Sequence, residues 1–281
     1  MPAGTPTMEA VAELETTDFY QDLLHYNEAF RGANERELRG YARFWGDDAM
    51  KLWSRRWEYP FAAAKVLDHA DRLDRDDLAG CDAGSGVTFL PYYLADRLPQ
   101  TTFVCCDTNP AYAKMFDAVN NTADHDRVSF RNAAASSLPF DDGQLDVLCC
   151  VSVLEHTDAY SSIINEFARV LKPGGRLVLT FDLSLGGSPK FQLTRQSAGV
   201  VFDTLASQFD TTADELWAMA KPVYDHPDGR LTTNAVRATQ PELLPWKYPK
   251  IQAIYDVLRG YGWTGGFRPV AAFCLDLART A

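Results

Sequence analysis

The first chemical signal in this chain comes from two acidic residues and a pair of glycines. Asp82-Ala83-Gly84-Ser85-Gly86 follows the apolar run Leu78–Cys81 and precedes a helical stretch, Phe89–Leu98. A turn at such a junction lies on the carboxyl edge of a parallel sheet, where ligands bind. Glycine there lets the backbone approach a ligand with no Cβ in the way. Asp82 offers a carboxylate to an ammonium group, or orients the turn. A G-x-G alone fits a purely structural turn equally well. Asp107 ends the next apolar run, Thr101–Cys106. A carboxylate in that place can accept hydrogen bonds from both ribose hydroxyls of an adenine nucleoside. Its alternative role is to cap the helix beyond Asn109-Pro110.

The elements that must position these residues follow from the hydrophobic pattern. Through residue 70 the spacing is helical, with stripes at Phe19, Leu23, Tyr26 and Phe30 and at Leu38, Tyr41 and Trp45. Pro60 is expected in the first turn of a further helix. After Asp74-Arg75-Asp76-Asp77, strand-length apolar runs alternate with helices. Strands are expected at Leu78–Cys81, Thr101–Cys106, Val128–Arg131, Leu145–Val151, Arg176–Phe181 and Val270–Leu277. Helices are expected at Phe89–Leu98, Ala111–Val119 and Ile251–Leu258, with another striped by Ile163, Ile164, Phe167 and Val170. Strands apolar on both faces and separated by helices predict a parallel sheet with right-handed crossovers. Residues 183–247 break the rhythm and read as an insertion, in which Thr212 and Glu215 form a capping box.

Several further segments then fall into line. Ala133-Ala134-Ala135-Ser136-Ser137-Leu138-Pro139-Phe140, Asp146 through Val151 to Leu154-Glu155-His156, and Leu171-Lys172-Pro173-Gly174-Gly175-Arg176-Leu177 follow the glycine turn and Asp107 in order. Together they resemble the motifs of the class I S-adenosylmethionine (SAM)-dependent methyltransferases, over roughly residues 78–181. The resemblance implies an α/β Rossmann-like fold: seven strands, mostly parallel, with the last strand antiparallel, helices on both faces and a helical cap. It implies SAM as cofactor, held by Tyr59, Asp82, Ala83, Gly84, Ser85, Gly86, Asp107, Thr108, Ala134, Ala135 and Val151. Thr88 replaces the last glycine of the first motif, and Ala134 stands where the family has an adenine-facing acid. A dinucleotide oxidoreductase fits less well. Its fingerprint wants a third glycine to seat a pyrophosphate, where this chain has Thr88 and then Pro91.

For catalysis, His156 and Asp182 are the candidate bases, on the rim beyond the fourth and fifth strands. The alternatives are loop packing for His156 and a surface turn for Asp182. In Ser54-Arg55-Arg56-Trp57-Glu58-Tyr59-Pro60, an Arg or Tyr could bind the methionine carboxylate; ordinary helix packing is the other reading. Tyr20, His25 and Tyr26 near the N-terminus, and Tyr224, His226 and Trp246 in the insertion, are candidates for binding a partly apolar acceptor, or are core. His69 and His125 read as surface residues at helix ends.

Composition bounds the rest. The 281 residues are 46% hydrophobic and 23% charged, which suits one globular α/β unit with accessory helices. The expected division is an N-terminal helical lid over 1–70, then a core over 71–281 interrupted at about 183–247. The net charge of −11 is the wrong sign for tracking phosphates, so nucleic acid is disfavoured as a partner. The six cysteines lie in apolar runs without metal spacing and read as core residues of a reducing compartment. No metal is expected, since H-E-x-x-H and carboxylate clusters are absent from the sequence. No run approaches the roughly 20 apolar residues of a membrane span, and Met1–Thr7 lacks the pattern of a signal peptide. The sequence therefore predicts a cytoplasmic enzyme, monomeric or homodimeric, that methylates a small molecule, such as a specialised metabolite, on O, N or C. Alternatives are a SAM-binding enzyme of the same fold that catalyses a non-methylating reaction such as cyclisation, and a non-catalytic partner of a methyltransferase.

Overall fold

The computed structural model describes residues 1–45, 48–123, 125–186, 192–245, 253–254, 257–258 and 266–280. The chain opens with helices α1 (Met8–Glu15), α2 (Asp18–Ala33) and α3 (Glu35–Trp45). Thr7 and Thr17 start the first two by accepting hydrogen bonds from Ala10 N and Tyr20 N. Leu23, Asn27 and Phe30 form the buried stripe of α2. Helix α4 (Arg55–Leu73) stops at Asp74, which is left-handed at φ 51°. Pro60 lies inside α4 rather than in its first turn. Burial of Trp57, Tyr59 and Phe61 outweighs the single backbone bond that proline deletes. Arg55, Glu58 and Tyr59 are thereby mounted on a helix instead of a loop. His69 belongs to this buried helix as well, and is not a surface residue.

Six strands form one sheet: β1 (Ala79–Ala83), β2 (Thr102–Asp107), β3 (Val128–Asn132), β4 (Leu145–Val151), β5 (Leu171–Ser184) and β6 (Val270–Ala278). Their order is β3-β2-β1-β4-β5-β6, with every pairing parallel except β5 with β6. Period-two alternation fills a core on each face. Val147 and Cys149 of β4 join one, with α4, α5 (Leu90–Arg97) and α6 (Tyr112–Ala123). Leu148 and Cys150 join the other, with α7 (Tyr160–Val170) and α8 (Arg195–Gln208). All six cysteines are buried and free.

The seventh strand implied by the family resemblance is not among the described residues. The outer edge of β6 is instead met by single bridges from three segments. Gly4 N donates to Cys274 O at 2.7 Å and Gly4 O accepts from Cys274 N at 3.1 Å, Ala272 N donates to Leu231 O, and Asp210 N donates to Ala278 O. These bridges satisfy an edge that would otherwise be open to pairing with another chain. The break in rhythm after β5 holds α8, α9 (Ala213–Asp225) and α10 (Thr233–Thr239). The Thr212–Glu215 capping box is formed. Trp246, and all of the expected Ile251–Leu258 helix except residues 253–254 and 257–258, lie outside the described residues. No described helix is long and apolar enough to cross a membrane.

Candidate functional site

A cavity of about 380 Å³ opens at the carboxyl ends of β1, β2 and β4. Strand order reverses between β1 and β4, the usual place for a ligand in such sheets. The glycine turn is one wall. Gly84 and Gly86 have φ of 76° and 54°, where a side chain is strained. A Cβ on Gly84 would come within 2.3 Å of Val153, and one on Gly86 within 2.2 Å of the Tyr41 hydroxyl. Gly84 N and Ser85 N both donate to Cys106 O, which ties the turn to β2. Asp107, at the end of β2, accepts from Gly86 N at 3.2 Å and from Asn109 N at 3.0 Å. It therefore braces the turn, and it does not cap α6. Each carboxylate oxygen keeps a lone pair for a ligand.

Helices α3, α4 and α6 close the cavity with Tyr41, Arg55, Tyr59 and Tyr112. Arg55 forms an ion pair with Glu58 and donates to Ser152 Oγ. Tyr59 carries the guanidinium over its ring at 5.9 Å. The charges here are far from their solution behaviour. Burial, then the neighbouring charge of Asp107, pushes the Asp82 carboxyl up to about 7. Burial, then Arg55 and Arg268, lowers His156 to about 4, so the imidazole is neutral. Asp182 is pushed up to about 8 by burial and then by Glu58, with Arg55 and Arg268 opposing. Burial and Asp182 raise the Glu155 carboxyl as well. One oxygen of each of these last two carboxyls is buried without a hydrogen-bond partner.

A family of methyltransferase domains matches residues 81–179, a segment that holds the glycine turn, Asp107 and β4. Residues 81–179 thus resemble a SAM-dependent methyltransferase domain. A demethylmenaquinone methyltransferase from Deinococcus radiodurans is 32% identical over 120 residues, 42% of this chain and 46% of that protein. A 27-O-demethylrifamycin SV methyltransferase from Amycolatopsis mediterranei is 44% identical over 64 residues, 23% of each chain. The chain thus spans less than half the length of these curated relatives. A crystal structure of a candidate sarcosine dimethylglycine methyltransferase from Galdieria sulphuraria superposes with a TM-score of 0.54 at 16% identity, covering 87% of this chain and 98% of that one. At that identity the likeness is one of fold.

SAM is the cofactor of this domain type, and the residues around the cavity fit it. Asp107 stands where a ribose would be read, the glycine turn is a cradle that any Cβ would fill, and Asp82 and Arg55 set opposite charges for an aminocarboxylate. Of the residues expected around the cofactor, Tyr59, Asp82, Gly84, Ser85, Gly86, Asp107, Thr108, Ala135 and Val151 line the cavity, and His156 joins them. Ala83 and Ala134 do not, although Ala133, beside Ala134, does. Asp182 does not line the cavity, and its charge acts on the Glu155 carboxyl.

Of the residues expected to bind the acceptor, Tyr20, His25, Tyr26, Tyr224 and His226 do not line the cavity, and Trp246 lies outside the described residues. Tyr20 is buried against α1 near Glu15. Tyr26 donates to Asp96 at 2.6 Å and packs edge-on to Tyr93 of α5. His25 and His226 are exposed. Tyr224 packs beside Trp217 and Arg195 on α9 and α8. Arg56 turns away from the cavity to pair with Glu15 at 2.5 Å. Tyr41, Asn109, Tyr112, Ser152 and Val153 line the cavity unanticipated. For Tyr41 the only signal was its helical stripe, which reads as core. Ser152 and Val153 carried a clearer one, because they directly follow the fourth strand.

Proposed function

We propose that this chain transfers a methyl group from SAM to an O, N or C atom of a small-molecule acceptor. The observation that carries this reading is the charge layout of the cavity: Asp107 suits the ribose, and Asp82 with Arg55 suits the ammonium and carboxylate of the methionine end. Bound SAM supplies a methyl group already activated by its sulfonium. The chain's residues bind, orient and dry the site. Asp107 accepts from the ribose hydroxyls, and Ala133, Ala135 and Val151 give the nucleoside apolar walls. Tyr41, Tyr59 and Tyr112 exclude water as α3 and α4 close over the sheet. We assign residues 1–70 as a lid on this basis. His156, a weak base at its lowered pKa, accepts a hydrogen bond from the acceptor. Asp182 does not line the cavity, so it takes the acceptor's proton only by relay, with a pKa of about 8 that suits the working range when the acceptor must lose one.

The class of acceptor is supported by two observations. Both relatives above are named for small molecules, a demethylmenaquinone and a demethylrifamycin. The acidic chain disfavours nucleic acid. The expected acceptor-binding residues Tyr224 and His226 lie away from the cavity, so the acceptor pocket is assigned to the space near His156 instead. Six free, buried thiols suit a reducing, cytoplasmic setting. The test is formation of S-adenosylhomocysteine from SAM across a panel of small hydroxyl, amine and enol acceptors. Asp107→Ala should weaken SAM binding by about 1–3 kcal/mol, the scale of a stranded buried polar contact. Tight SAM binding with no S-adenosylhomocysteine from any acceptor would favour a non-methylating reaction. Absence of SAM binding would point to a non-catalytic partner.

A further inference from the structure

Ser152 is one of two non-glycine residues with positive φ among the described residues, at 52°. The other, Asp74, ends α4 as a left-handed cap. Ser152 caps no helix. It directly follows β4, in the cavity wall, and its N–H donates to Thr180 O at 2.9 Å. A strained residue persists only where its surroundings over-determine it. Here the surroundings are Glu58 and Arg55. Ser152 Oγ donates to Glu58 Oε1 at 2.9 Å and accepts from Arg55 Nη1, while Glu58 Oε2 pairs with the same Nη1. Glu58 is fully buried, whereas Arg55 keeps 21% of its side chain accessible and lines the cavity. A carboxylate this deep is costly unless paired, and among the described residues its ion-pair partner is Arg55, the cation that faces the ligand space. Tyr59 holds the guanidinium from another side.

We propose that Glu58, locked by Ser152, is a positioning residue that aims the Arg55 guanidinium at the carboxylate of a bound adenosyl amino acid, and so makes the site select nucleosides that carry that carboxylate. The proposal rests on the reading of the cavity as a SAM site. Helix α4 supplies both the cation and the buried anion that fixes it, one turn apart. The strained end of β4 supplies the hydroxyl that fixes the pair against the sheet. Selectivity arises because a guanidinium already held in place loses little freedom when it meets a carboxylate.

The experiment compares two ligands on the full chain by calorimetry: S-adenosylhomocysteine, and 5′-methylthioadenosine, which has the nucleoside but no aminocarboxylate. Wild-type protein should prefer S-adenosylhomocysteine. Glu58→Gln should weaken S-adenosylhomocysteine by about tenfold or more, the scale of a charge-assisted contact, and leave methylthioadenosine within about twofold. On an Arg55→Ala background, Glu58→Gln should add no further loss. Should Glu58→Gln fail to fold, Ser152→Ala carries the same contrast with a smaller loss. Equal weakening of both ligands would make Glu58 merely structural and overturn the proposal, as would unchanged affinity for both. Wild-type protein that binds both ligands equally well would overturn it while leaving the nucleoside site standing. Wild-type protein that binds neither would overturn the cofactor reading too.

Discussion

Asp82 is buried at the end of β1 and shares the cavity with Asp107. Its carboxyl is pushed up to about 7 by burial and then by Asp107, against roughly 4 in an unfolded chain. The folded protein therefore holds this proton more tightly than the unfolded one. The resulting stability is complete below about pH 4 and is lost as pH rises through 7. Asp82→Asn should raise the ligand-free Tm at pH 8 by a few degrees relative to wild type, with little difference at pH 4. It should also weaken SAM most above pH 7, where the wild-type carboxylate is charged. Thermal scans and titrations at both ends of the range check this. Asp182 gives a second pH signature. Glu58, Glu155, Arg55 and Arg268 act on it, and its value of about 8 requires turnover to rise with pH through that region if it takes the proton. Asp182→Asn should flatten the kcat profile and lower its upper plateau. A rising limb that survives the substitution would remove Asp182 from the chemistry.

At the scale of elements, the site is the meeting of a turn with helices from elsewhere in the chain. Gly86 touches α3 so closely that a Cβ would overlap the Tyr41 hydroxyl. Gly86→Ala should cost about 1–3 kcal/mol through its positive φ and weaken SAM. Adding Tyr41→Phe should recover part of the loss in both Tm and affinity, since it removes the struck atom. This contact also explains what can be read from the chain alone. Asp82, Gly84, Gly86 and Asp107 are legible because strand-end geometry dictates residue type: a positive φ wants glycine, and a strand terminus presents its carboxylate to the edge. The six strands are legible because Val147 with Cys149 and Leu148 with Cys150 serve opposite cores. Tyr41 is different. Its role depends on how α3 settles on the sheet, and local sequence carries no trace of that packing. Tyr20, Tyr26 and Tyr224 show the converse: aromatics with suitable chemistry that tertiary packing spends on helix contacts. Pro60 misleads because a local rule about proline is overridden by burial across the whole of α4.

At the scale of the molecule, among the described residues the sheet ends at β6, whose outer edge is covered by Gly4, Leu231 and Asp210. The N-terminal segment thus joins the far edge of the sheet, while Tyr41 of α3 and Arg55 and Tyr59 of α4 line the cavity. Removing residues 1–7 should lower Tm by several degrees and promote self-association through the exposed strand. It should leave SAM affinity nearly unchanged, because none of those residues lines the cavity. Thermal scanning with light scattering reads the first two effects. The central claim, that the cavity over the glycine turn is a SAM site, is tested most directly by calorimetric titration of SAM into the full chain. The account predicts saturable one-to-one binding, displaced by S-adenosylhomocysteine and weakened by Asp107→Ala. Absence of saturable binding, or binding indifferent to Asp107→Ala, would contradict it.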